Sequence, residues 1–159
     1  LTGRIQSSVI FLVVFSFLLI GAGTTFYINR KYSNDQKKSI GDQVNALWFR
    51  ISEMNMIPDS LSSEEINQLD RLSANTNINF NLFNHSGSLI FSSQPKIYDS
   101  GILAGRMNPE AYFEIREKGV TQYIHPEFAG KLKYISAYAP VIDRKGKVSA
   151  FLNLPYLLR

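Results

Sequence analysis

Apolar residues change their spacing twice along the chain, and the changes divide it into parts. Ile5 to Asn29 holds no charged residue, Arg4 and Arg30 bracket it, and Val9 to Ile20 is apolar except for Ser16. At about 1.5 Å rise per residue, a helix of that length exceeds the roughly 30 Å hydrocarbon thickness of a bilayer. Lipid offers no partner for backbone amides, so the segment is expected to be one unbroken membrane-spanning helix. Two other readings compete with it: a cleaved secretory signal, with Gly21-Ala22-Gly23 near the cleavage point, and a buried core helix. The second finds no other segment apolar enough to surround it.

Beyond the span, Ile40, Val44, Leu47, Trp48, Ile51 and Met54 recur at helical spacing and give one apolar face, which Pro58 should end. No Pro or Gly lies between Asn29 and Ser39, so the span should run into this helix with little break. The face around Trp48 should cover a core, and the part nearer the membrane has too few apolar residues for that and suits pairing with a second copy. Ser62 and Glu65 form a capping box; Ile66, Leu69 and Leu72 then predict a helix from about Ser63 to Ala74, closed by Asn75-Thr76-Asn77.

The period then drops to two. Ile78, Phe80 and Leu82 alternate with Asn79, Asn81 and Phe83, and Asn84-His85-Ser86-Gly87 supplies a turn before Ser88 to Phe91, which predicts a hairpin. Ser92 to Met107 is irregular and reads as a binding loop or lid. Asn108-Pro109-Glu110 opens a helix that should end at Gly119. Strands follow at Thr121 to His125, Lys131 to Val141 and Lys147 to Leu154, the last two joined tightly by Asp143-Arg144-Lys145-Gly146. The expected fold class is α+β: one five-stranded antiparallel sheet with its helices packed on one side.

Charge changes this picture little. Of the 17 Lys and Arg, all but Arg4 follow the span, as do all 13 acids, a surplus of three positive charges (16 minus 13). The signs are interleaved, as in Glu114-Ile115-Arg116-Glu117-Lys118, which suits a solvated surface and not a nucleic-acid stripe. With no cysteine there is no disulfide framework and no thiolate metal site. Arg30, Lys31, Lys37 and Lys38 would hold the following domain in the cytoplasm by the positive-inside tendency, although long domains translocate largely regardless of charge.

Candidate chemistry is sparse. His85 falls in a turn and His125 precedes Pro126 as a strand-end surface residue; neither has a metal-ligand spacing. Nucleophile and phosphate-loop motifs are missing, so no catalytic residue, metal or cofactor is expected. What remains is a ligand pocket. Tyr98, Arg106, Tyr112, Tyr123 and Tyr138, together with Tyr134, gather in the second half, where phenols and a guanidinium can fix a small polar ligand above apolar walls.

The order of elements, and above all Tyr134 to Tyr156 with Ala139-Pro140, the Asp143 to Gly146 turn and a closing strand, resembles the extracytoplasmic PAS-like (Cache, or PDC) sensor domains of bacterial receptors. With Asn108 to Ile115, it looks most like the sensor region of membrane histidine kinases of the nitrogen-regulation type found in Bacteroidetes. Amino-acid specificity known in double Cache receptors is not implied, since Arg106 and Tyr112 have no Trp beside them. The resemblance implies a transmembrane helix over 5–29, a juxtamembrane and first sensor helix over 30–57, and a sensor domain over 58–156. It also implies a periplasmic sensor on the inner membrane, a homodimer, a small-molecule ligand of unknown identity, a second span beyond residue 159 and a kinase output. Rival readings are the sensor of a chemoreceptor or cyclic-dinucleotide enzyme, and a pilin-like subunit, which would normally carry an acid early in its apolar helix; the first acid here is Asp35.

Overall fold

The structure, a computed structural model, describes residues 2–54, 56 and 61–157. The chain divides into two units, Leu1–Lys38 and Ser39–Arg159. Helix α1 (Thr2–Glu53) begins in the first and ends in the second, so the expected continuation from span to domain helix is found. The residues between Asn29 and Ser39 contain nothing that breaks a helix. In the first unit the apolar side chains are exposed, Phe11 and Phe17 each by 72%. This part of α1 is long and apolar enough to cross a membrane. Pro58, expected to stop the helix, lies outside the described residues.

The second unit is α+β and PAS-like. After α1 come α2 (Ser63–Thr76), β1 (Asn81–Asn84), β2 (Leu89–Ser92), α3 (Pro95–Asp99), α4 (Pro109–Arg116), β3 (Tyr123–Ala129), β4 (Leu132–Ile142) and β5 (Val148–Leu157). The strands form one sheet in the order β2-β1-β5-β4-β3, and every neighbouring pair is antiparallel. The capping box at the start of α2 is present: Ser62 Oγ accepts from Glu65 N at 3.3 Å and Ser62 N donates to Glu65 Oε2 at 2.7 Å. Asn77 ends that helix in the left-handed region at φ 52°. At α4, Asn108 Oδ1 accepts from Glu110 N and Ala111 N, with Pro109 at the first helical position.

Helices cover both faces of the sheet, not one. Side chains alternate along each strand. Leu82, Ala137, Ala139, Val141, Ala150, Leu152 and Leu154 therefore join Ile40, Val44, Leu47 and Ile51 of α1 and Leu69 of α2 in the main core. Phe83, Tyr138 and Phe151 point the other way and pack with Met107, Ala111 and Ile115 in a second, smaller core beneath α4. A period-two pattern says that a strand has two faces; it does not say that both are covered.

Other boundaries moved too: β1 begins at Asn81 and not near Ile78, α4 ends at Arg116 and not at Gly119, and β5 runs past Leu154 to Leu157. The strand expected to stop at His125 runs to Ala129 through Pro126, because β3 is a sheet edge and the missing N–H can face outward. Pro140 and Pro155 sit in central strands by the same logic: β3 pairs β4 only as far as Tyr138, and β1 pairs β5 only as far as Asn153. Within the expected irregular excursion, Pro95 starts the five-residue α3.

Candidate functional site

The sheet face opposite α1 carries a row of polar side chains. On β3, Tyr123, His125 and Glu127 share that face and pair with Tyr138, Ser136 and Tyr134 of β4. Glu127 sits at the centre. Its Oε1 accepts from the Tyr138 hydroxyl at 2.7 Å and lies 2.8 Å from His125 Nε2, and its Oε2 accepts from the Tyr134 hydroxyl at 2.7 Å. The carboxylate side chain is 12% exposed. Farther along, Asn81 Nδ2 donates to Asn153 Oδ1 at 2.8 Å, and Asn153 Nδ2 donates to Ser136 Oγ at 2.6 Å. The amide and hydroxyl groups thus satisfy one another where the strands would otherwise bury them unpaired.

The phenols respond to this setting. Burial, and second the charge of Glu127, push Tyr98 up to about 12, against a smaller opposing effect of its hydrogen bond with Asn81. Burial with the Glu127 carboxylate also raises Tyr134 and Tyr138. Each phenol therefore remains a neutral donor at physiological pH.

Two cavities adjoin above this row. One, of about 290 Å³, is walled by Ile97, Tyr98, Ile102 and Leu103 with Leu132 and Tyr134. The other, of about 380 Å³, includes Tyr98, Arg106, Glu127, Phe128, Tyr134 and Tyr138. Tyr98, Leu103, Tyr134 and Pro155 line both. Part of the wall comes from α3 and the chain that follows it to Pro109, the stretch read as a lid from sequence. A smaller cleft of about 140 Å³, between the end of α1 and the β4–β5 turn, is lined by Ser52, Asp143, Arg144 and Ser149 among apolar side chains.

Of the residues picked out by sequence, the structure brings Tyr98, Arg106, Tyr134 and Tyr138 together along this space. Tyr112 is elsewhere: its ring packs on Phe151 at 5.5 Å between centroids, its hydroxyl donates to the His85 carbonyl at 3.1 Å, and Arg116 bonds to it, so it ties α4 to the β1–β2 turn. Tyr123 donates to Glu110 Oε1 at 2.7 Å, bracing β3 against α4. His125 is not the surface residue expected. It is buried between Tyr123 and Tyr138, since the edge strand continues past it and turns its ring inward. Sequence reading missed Glu127, Asn81 and Asn153. Asn153 left a trace, being a polar residue inside the apolar run Phe151 to Leu154. Among the described residues, no group of three or more His, Cys, Asp or Glu is placed to hold a metal ion.

The sheet order, with helices on both faces, makes this a PAS-like fold. Neither a protein-family model nor a curated protein matches the chain. Solved structures similar in fold include the sensor domain of the Vibrio cholerae histidine kinase DctB, at 13% identity and TM-score 0.44, covering 59% of this chain and 36% of that one. The PAS domain of Bordetella pertussis BvgS is similar at 8% identity and TM-score 0.41, covering 61% of this chain and 88% of that one. A Light-Oxygen-Voltage domain structure obtained with a flavin analogue is similar at 16% identity and TM-score 0.40, covering 58% and 85%. The likeness is one of fold, at identities that leave the chemistry of the site to this chain's own residues.

Proposed function

We propose that this chain is the signal-sensing region of a transmembrane two-component histidine kinase, with the domain periplasmic, the span in the inner membrane and the receptor a homodimer. The observation that carries the reading is the two-sided use of β5. Ala150, Leu152 and Leu154 pack in the core shared with α1, while Asn153 and Pro155, between and beside them, line the larger cavity on the opposite face. A molecule in the cavity that favours one placement of β5 favours one packing against Ile40, Val44, Leu47 and Ile51. Packed elements switch between discrete arrangements, so the response would leave through α1 as a small shift or rotation. The polar helix between span and core suits pairing with a second copy. In this reading the fragment performs no reaction, and the kinase lies downstream.

The test joins residues 1–159 to the second span and kinase core of a receptor with a measurable phosphorylation output. The chimera is screened with small cations, neutral molecules and anions, alone and with Ala104→Trp to fill the cavity, which Ala104 lines. A response to any of them that Ala104→Trp abolishes supports the reading. Output indifferent both to every molecule and to the filled cavity refutes it.

A further inference from the structure

We propose that the cavity is built for an organic ammonium ion: a charged amine end held at Glu127 and an apolar body lying toward Ile97, Ile102 and Leu132. This deepens the sensory reading and rests on it. Glu127 takes three hydrogen bonds, from Tyr134, Tyr138 and His125, of the roughly four a carboxylate can accept, and Oε2 has only one of them. Among the described residues, no lysine or arginine forms an ion pair with it. The remaining charged neighbour in the network is Glu110, 3.9 Å from His125 Nδ1. The one side chain among the described residues that lies against it and can carry a positive charge is His125, whose Nε2 lies 2.8 Å from Oε1, while the two phenols orient the carboxylate without neutralising it and Oε2 keeps room for a further donor.

The lining suits the same class of ligand. Tyr98, Tyr134 and Tyr138 share the larger cavity with the carboxylate, and aromatic rings attract ammonium groups through their negative faces. Past Tyr98 and Tyr134, the adjoining cavity is walled mainly by apolar side chains, which fits a ligand whose charge is confined to one end. An anion would find one cation among the lining residues, Arg106, which is exposed, and would have to share the space with Glu127.

Matched probes test this: benzylamine, benzyl alcohol and benzoate share one ring and differ in charge. Each is titrated into the full chain in lipid nanodiscs, with ring-labelled tyrosines followed by NMR. The expected result is movement of the Tyr98, Tyr134 and Tyr138 signals at about tenfold lower concentration of benzylamine than of the other two, as a charge-assisted hydrogen bond implies. Glu127→Gln should remove that preference, with the alcohol's affinity unchanged. Equal or tighter binding of the alcohol or benzoate overturns the amine assignment, as does full amine affinity in Glu127→Gln. So does movement confined to Tyr27 and Tyr32 on the apolar helix, which would report partition into lipid. Should Glu127→Gln fail to fold, the wild-type order of the three probes still decides. Loss of the amine preference with a chimera that answers to an anion would retire this inference and leave the sensory reading standing.

Discussion

Tyr98 is the residue whose ionisation best reports the site, because it lines both cavities and its phenol is pushed up to about 12, first by burial and then by Glu127. In the unfolded chain the same phenol titrates near its ordinary value of 10.0. The folded state therefore holds this proton more tightly, and the associated stability is complete below about pH 10 and lost as pH rises toward about 12. Tyr98→Phe has no proton to lose. Its urea midpoint should fall less steeply than that of the wild type between about pH 9 and about pH 12, the lysines being common to both. Identical slopes would show that the phenol is not held as the geometry requires. Tyr123 is also raised, chiefly by its hydrogen bond to Glu110, but it belongs to the α4 brace and should leave the difference untouched.

Elements whose cause is local were readable from the sequence, and those whose cause is distant were not. The start of α2 is fixed within four residues by Ser62 and Glu65. Ser62→Ala should cost about 1 kcal/mol, measured by chemical denaturation, with helix α2 fraying first in hydrogen exchange. No change in either would mean that packing of Leu69 alone places the helix. The hairpin, the α4 cap and the β4–β5 turn at Asp143, whose carboxylate accepts from Lys145 N and Lys147 N, are equally local. By contrast, α3 has five residues, too few to show a period. The run of β3 through Pro126 depends on its being an edge, a property of the sheet and not of the segment. The same holds for the site. Tyr98, Arg106 and Tyr138 could be named by type, but Glu127 acquires its place only from the β3–β4 register, and Asn81 meets Asn153 across 72 residues.

At the scale of the whole molecule, the decisive question is whether the apolar part of α1 lies in lipid or inside a protein core. Within Ser39–Arg159 the core is already filled by Ile40, Val44, Leu47 and Ile51 from the last turns of that helix, and among the described residues the most apolar 18-residue stretch of α1 shows none buried. Placing Val14→Asp and Leu18→Asp together puts two charges near the middle of the span. Each should oppose insertion by about 2.5–3.5 kcal/mol. If the segment spans a bilayer, the doubly substituted chain should move from the carbonate-resistant membrane fraction to the soluble one. The tertiary signal of Trp48, whose indole donates to the Pro140 carbonyl at 2.7 Å, should persist, because that contact belongs to the second unit alone. If the segment were instead a core helix, the same charges would be buried within protein and the Trp48 signal should collapse. Retention in the membrane fraction with both aspartates present would refute the span, and with it the proposed route by which a response would leave the domain through α1.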